Sequence, residues 1–237
     1  MPVFTHFAPQ FHAELNDLAR RYGPPLVRTV DLNLRGFDSP RFGSKLPLTP
    51  EVLAAALADP TKRVAEVCLV IQRPNGNVLV DYSAYYPGSV SRLFTGGVKP
   101  GESILAAAQR EALEETGLQT EVRRFLAALA YRTTHTLSLG HTDPIFHTFA
   151  FLLDEIGGTL GTLDQQEHFD ELREITPAAL VALTVELERV DTFAPEQVGA
   201  AGLAYAASQG IDPRAGLDWL RYRIPAHRAV IEALDLA

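Results

Sequence analysis

The chemistry in this chain is concentrated in one short stretch, GGVKPGESILAAAQREALEETGL, running from Gly96 to Leu118. It carries Glu102, Glu111, Glu114 and Glu115, with Arg110 directly before the last three. Ser103 reads as a helix N-cap and Gly117 as the glycine that ends the helix, so a helix is expected over 104–116. At 3.6 residues per turn Glu111, Glu114 and Glu115 share a face, while Leu105, Ala108, Ala112 and Leu113 project elsewhere and can enter a core. Carboxylates this close repel one another, and a helix selected only for solubility would mix Lys or Arg among them. Arg110 can reach Glu114 one turn on and orient it through its planar fork. A hard divalent cation such as Mg²⁺, with Mn²⁺ as an alternative, resolves the remaining repulsion, because it takes oxygen ligands and is held by carboxylates together with substrate phosphates.

Gly96, Gly97 and Gly101 fit the same chemistry. They let the backbone turn tightly and approach a ligand closely, and a glycine-rich loop feeding a helix directs amide groups at an anion. Loop plus acidic helix reads as a cradle for a metal and a diphosphate.

The flanking pattern supplies elements to position that cradle. FHAELNDLARRYG spaces Phe11, Leu15 and Leu18 at helical intervals, PPLVRTVDLNL alternates like a strand, and TPEVLAAALAD is a short helix capped by Thr49. RVAEVCLVIQR and VLVDYSAYY read as strands joined by a turn at Asn75-Gly76. TEVRRFLAALAYRTTHTLSL and PIFHTFAFLLDE suggest an antiparallel pair separated by GHTD. ELREITPAALVALTVELERV starts as a strand and becomes helical after Pro177. FAPEQVGAAGLAYAASQG and PRAGLDWLRYRIPAHRAVIEAL read as two further helices.

Twenty-one Lys and Arg against 29 Asp and Glu, net −8, argue against a nucleic-acid backbone as the main partner. No apolar run reaches membrane-spanning length, and MPVFTHFAPQF lacks the basic-then-apolar pattern of a secretory leader. The single cysteine, Cys68, lies in the run VAEVCLVI and reads as a buried small hydrophobe. A reducing, cytoplasmic setting is the default expectation.

Gly96, then Glu102, then Arg110-Glu111-Ala112-Leu113-Glu114-Glu115-Thr116-Gly117-Leu118 resembles the signature box of Nudix hydrolases, with each polar position filled. The resemblance implies an α/β fold, the Nudix αβα sandwich with a mixed sheet. It divides the chain into an N-terminal extension over 1–61, a Nudix domain over 62–189 and a C-terminal helical tail over 190–237. It implies that Glu111, Glu114 and Glu115 bind one or more Mg²⁺ or Mn²⁺, and that Arg110 orients them. Glu102 then supports the site or a further metal, and the main-chain carbonyl of Thr95 completes the ligand set. Phe94-Thr95-Gly96 stands where many members read Pro-Gly-Gly, and Lys99 where many have an acid.

The reaction implied is hydrolysis of a diphosphate linkage in a nucleoside diphosphate joined to a group X. The catalytic base is either Glu115 or, in the acidic stretch LDQQEHFDE, Glu167; the second has an equal claim to be a solvated loop residue. Gly96 and Gly97 would approach substrate, and Tyr86 is a candidate for stacking a base, against an ordinary structural role for it and for Tyr82, Tyr85 and Phe94. His135, His141 and His147 are too irregularly spaced for a zinc set and read as surface or strand-face residues. ADP-ribose or a related sugar nucleotide is the first expectation for the substrate. A house-cleaning nucleoside triphosphate pyrophosphatase and a non-catalytic nucleotide-binding sensor are the alternatives. An isoprenoid diphosphate isomerase would need a reactive cysteine facing the site, for which Cys68 is poorly placed. The extension also resembles those through which nucleotide-sugar hydrolases dimerise, so a homodimer enters the expectation.

Overall fold

Alternation along the apolar run Ala65–Gln72 determines how the layers are built. Ala65, Val67, Leu69 and Ile71 enter one apolar cluster, whereas Cys68 and Val70 enter another. A strand buried on both faces has to lie inside a sheet covered on both sides. The computed structural model describes residues 4–32, 65–82, 90–133, 146–161, 171–189 and 223–236. After a 3₁₀ turn at Pro9–Phe11 come α1 (His12–Tyr22) and β1 (Leu26–Leu32). Then follow β2 (Ala65–Gln72), β3 (Val78–Tyr82), β4 (Ser91–Arg92) and β5 (Phe94–Val98). The box helix is α2 (Ile104–Thr116), followed by β6 (Leu118–Thr133) and β7 (Phe146–Gly158). β8 (Glu171–Ile175), α3 (Ala179–Glu188) and α4 (Ile224–Ala233) complete the described elements.

The sheet runs β1-β6-β7-β2-β3-β4, with β5 also on β2 and β8 on β3. β1 on β6 and β2 on β7 are parallel; the other pairings are antiparallel, so the sheet is mixed as expected. The Asn75-Gly76 turn is present: Gly76 has φ +86°, and Asn75 Oδ1 accepts the Asn77 amide at 2.9 Å. On one face Leu15 and Leu18 of α1 and Ile104, Ala107, Ala108 and Ala112 of α2 pack with Phe4, Phe7 and Phe11. On the other, Leu180 of α3 and Ala226, Ala229, Val230 and Ile231 of α4 cover Cys68, Val70, Leu129 and Tyr131. The result is the helix–sheet–helix sandwich. Among the described residues no helix is long and apolar enough to cross a membrane.

Three local expectations change. Phe94–Val98, expected as a glycine-rich loop, is a regular strand pairing with β2 in the register Val67↔Gly96 and Glu66↔Gly97. Glycine lowers strand propensity, but the long buried run of β2 supplies a template that outweighs it. Leu113 is 40% exposed instead of packed, because the inward stripe of α2 is Ile104, Ala107, Ala108, Glu111, Ala112, Glu115 and Thr116. The helix thus turns two of its glutamates toward the sheet and Leu113 away. Within PRAGLDWLRYRIPAHRAVIEAL the described helix begins at Ile224 after Arg223 as N-cap, with Pro225 in its first turn, where a missing amide donor does no harm. The helices expected in TPEVLAAALAD and FAPEQVGAAGLAYAASQG, and the GHTD turn, lie outside the described residues, as do Tyr85, Tyr86, His135, His141 and Glu167.

Candidate active site

α2 is clamped at both ends. Ser103 Oγ accepts the Ala106 amide at 3.0 Å, and Gly117, with φ +70°, returns its amide to the Leu113 carbonyl at 2.8 Å. A further carboxylate comes from outside the box, since Glu14 of α1 accepts the Leu105 amide at 3.3 Å. A carboxylate over a helix N-terminus satisfies an orphan amide and complements the helix dipole. Burial nevertheless pushes the Glu14 carboxyl up, only partly opposed by its bonds to the Leu105 and Ile104 amides.

The centre of the site is Arg110. Its Nε and Nη2 fork onto Glu102 at 2.7 and 2.8 Å, Nη1 donates to Glu111 at 2.7 Å and to Glu114 at 2.8 Å, and Nη2 also donates to the Gly97 carbonyl at 2.8 Å. The reach to Glu114 is as expected, but the two-pronged fork goes to Glu102 in the loop before the helix. That contact fixes the loop against the helix, and an Arg–carboxylate fork is the strongest form of such pairing. The Glu102 carboxyl is held below the usual carboxylate range, first by its bonds to Arg110 and then by the Lys99 amide, against the opposing effect of burial. The Arg110 guanidinium is shifted upward by Glu102 in the first place, with Glu111 and Glu114 adding to it. Glu102 also closes its own turn, donating its amide to the Lys99 carbonyl and accepting the Lys99 amide, each at 3.0 Å.

Gly96 explains its own identity here. A Cβ built on it would lie 2.0 Å from both Cγ and Cδ of Glu111 and 2.5 Å from Oε2. Its requirement is close approach of strand to carboxylate, and it is Gly101 that supplies the left-handed backbone, at φ +79°. Glu111 and Glu115 are buried against β5 and the sheet, while the Glu114 side chain is 39% exposed. Three carboxylates, Glu102, Glu111 and Glu114, thus surround one guanidinium, in a half-buried place that backbone from β5 reaches. The donor set is all hard oxygen and suits a divalent cation of the Mg²⁺ type. With Arg110 bonded to Glu102, Glu111 and Glu114, no three acidic, histidine or cysteine side chains among the described residues converge on one point.

Beside the box lies a buried polar group that sequence reasoning did not find. Arg92 of β4 pairs with Asp81 of β3 at 2.7 Å and donates to Thr95 Oγ1 at 3.0 Å. Thr95, the departure from the family's usual proline-glycine pair, thus anchors a buried arginine through its side-chain hydroxyl. From α4, His227 Nε2 accepts the Leu93 amide at 3.3 Å. Burial, then Arg223 and Arg92, lower the His227 imidazole to about 3. The hint in the sequence is Asp81 within the apolar strand VLVDY. Phe94 is wholly buried in the core, and Tyr82 is covered by the Arg173 guanidinium 3.7 Å from its ring centre, so neither is presented for stacking a base. His147 is buried, accepts the Ala8 amide at 3.2 Å and packs among Phe7, Phe11 and Phe149, a strand-face role as expected.

The site is a carboxylate helix bound through one arginine to a glycine-bearing strand, within a helix–sheet–helix sandwich. The NUDIX domain model matches residues 50–196, more than half of the chain, and the chain belongs to the Nudix family. It is similar to Nudix hydrolase 6 of Arabidopsis thaliana, 35% identical over 92 residues that cover 38% of this chain and 31% of that protein. The chain thus spans about a third of the length of this relative. Among solved structures it resembles an ADP-ribose pyrophosphatase of Streptococcus suis at 16% identity and TM-score 0.35, covering 48% of this chain and 73% of that one. It also resembles a UDP-X diphosphatase at 19% identity and TM-score 0.35, covering 55% of this chain and 60% of that one.

Proposed function

We propose that this Nudix protein is a hydrolase of the diphosphate linkage in a nucleoside diphosphate joined to a group X, with ADP-ribose or a related nucleotide sugar as first substrate. The observation that carries the reading is the intact acid cluster, bonded through Arg110 and pressed against Gly96. Members of the family use divalent cations, and Mg²⁺ fits the oxygen donors offered here; Glu111, Glu114, Glu115 and the Thr95 carbonyl would hold it, with Glu102 in support. When bound, the cation neutralises phosphate charge and makes water more acidic.

The remaining work falls to the chain itself. Arg110 keeps Glu111 and Glu114 in place, and Glu102 keeps Arg110 in place. In this reading Glu115, which is buried on the inward face of α2, takes the proton of the attacking water. The water oxygen bonds to phosphorus, the bridging P–O bond breaks, and a nucleoside monophosphate and the phosphate ester of X leave. Glu167 is the second candidate for the base. The reading includes a cytoplasmic setting, a homodimer and no nucleic-acid or membrane partner.

The test is product release from ADP-ribose, sugar nucleotides, dinucleoside polyphosphates and nucleoside triphosphates with Mg²⁺ or Mn²⁺, for the wild type and Glu114→Gln. Metal-dependent turnover of one class, lost in the variant, is expected. Turnover of triphosphates alone would replace the substrate assignment with the house-cleaning one. Tight nucleotide binding with no turnover of anything would overturn the hydrolase reading in favour of a sensor.

A further inference from the structure

The first turn of α2 has amides that its own hydrogen-bond ladder leaves unfilled, and they need acceptors from elsewhere. Ser103 Oγ takes the Ala106 amide at 3.0 Å, and the Ser103 carbonyl takes the first intrahelical bond, from Ala107 at 2.9 Å. The amides of Leu105 and Ile104 go to Glu14 of α1, which stands 91 positions before Leu105 in the chain. The box helix is thus capped jointly by its own serine and by a carboxylate from the N-terminal segment.

Glu14 is firmly mounted. It lies three residues after Phe11 and four before Leu18, both buried, so helix geometry keeps its side chain beside the stripe that α1 turns to the core. The turn before α1 is pinned to β7, where Phe7 and Phe11 pack against His147 and Phe149 and His147 Nε2 accepts the Ala8 amide at 3.2 Å. Anchored on the sheet in this way, α1 fixes through Glu14 where α2 begins. That start bears directly on the acid cluster. Ile104 is two residues from Glu102, whose carboxylate takes the fork of Arg110, and Arg110 in turn holds Glu111 and Glu114. Because Arg110 also bonds the Gly97 carbonyl of β5, a helix start that shifts must strain or break a bond in that set.

We propose that Glu14 is a positioning residue of the box, which holds the first turn of α2 so that the carboxylates keep the spacing a divalent cation needs. This rests on the reading of the box as the cation site of a diphosphate hydrolase, and it makes α1 part of the catalytic unit. Glu14 touches neither cation nor substrate and acts through Glu102 and Arg110.

Mn²⁺ binding to the full chain without substrate, read from the EPR signal of the free ion, tests this apart from turnover. Glu14→Ala is expected to weaken Mn²⁺ roughly tenfold, the lower end of what losing a partner behind metal ligands costs. The Mg²⁺ concentration for half-maximal rate should rise by a similar factor, with the rate at saturating metal close to that of the wild type. Glu14→Gln keeps an acceptor for the amides and should restore most of the binding. Gly76→Ala, strained at a turn glycine with φ +86°, should bind Mn²⁺ as the wild type does although its thermal midpoint falls, which separates positioning from lost stability. Equal Mn²⁺ affinity in the wild type and folded Glu14→Ala would overturn the proposal. So would equal losses in Glu14→Ala and Gly76→Ala, no rescue by Glu14→Gln, or no Mn²⁺ binding by the folded wild type. The expected binding pattern in a chain that turns over none of the nucleotides would uphold the positioning role and count against the hydrolase reading alone.

Discussion

Replacing Gly96 by alanine is the sharpest perturbation of the site. The added Cβ would meet Cγ and Cδ of Glu111 at 2.0 Å. Non-bonded carbons settle at roughly 3.5–4.0 Å, so strand and side chain must part by about 1.5–2 Å. Neither gives way cheaply. Glu111 is tied to Arg110 at 2.7 Å, and Gly96 lies in a strand registered against Val67. Overpacking of this kind costs roughly 1–3 kcal/mol. A displacement of about 1 Å at a reacting centre costs on the order of 100-fold in rate. Gly96→Ala is therefore expected to lower kcat/KM about 100-fold on the best substrate of the panel. Its thermal midpoint should fall by about 2–4 °C for each kcal/mol lost. Gly76→Ala is the control, because that glycine has φ +86° and nothing within 4 Å of its added Cβ. The control should lose stability through backbone strain and keep its kcat. Wild-type activity and an unchanged midpoint in Gly96→Ala would refute the claim that Glu111 is held against this strand.

Arg110→Lys keeps the charge but loses the fork to Glu102, and activity or metal affinity should fall roughly 10–100-fold, read by metal titration of the rate. The pH dependence of Glu102 has a defined sign. Its carboxyl is depressed in the fold, so its stabilising contribution is complete above the ordinary value of 4.5 and disappears as the pH falls through the lower folded value. The midpoint difference between the wild type and Glu102→Gln should accordingly shrink on acidification below that window, and a constant difference would contradict the pairing. Glu14→Ala should cost about 1 kcal/mol of stability by uncapping α2, whereas Glu14→Gln keeps an acceptor for the Leu105 amide and should lie near the wild type in denaturant melts. Cys68 is wholly buried and its thiol is pushed up by burial, so a thiol reagent should label it only on unfolding.

What could be read directly from the residues was local. Ser103, Gly117 and the spacing of Arg110 from Glu114 involve partners within a few positions, and helix geometry alone brings them together. The Asn75-Gly76 turn was legible for the same reason, and the filled box positions carried the family. The fork from Arg110 to Glu102 spans eight residues and a change of element, so no period could announce it. The burial of Glu111 and Glu115 and the exposure of Leu113 depend on which side of α2 faces the sheet. Residue character misled there, because the helix turns two of its glutamates inward, against the rule that charges face water. Gly96 looked like a turn residue until β2 paired with it and Glu111 filled the space that a Cβ would take. Glu14 and His227 come from opposite ends of the described chain, and the sheet between the helix layers brings each to the box region: Glu14 to the start of α2, His227 to the strand before it. The sequence by itself determined the carboxylate side chains of the box and their helical spacing, since these are properties of one segment. Only the tertiary structure decided which carboxylates are buried, what orients them and which helix covers the neighbouring strand, because burial and long-range hydrogen bonding arise when separate segments exclude water together.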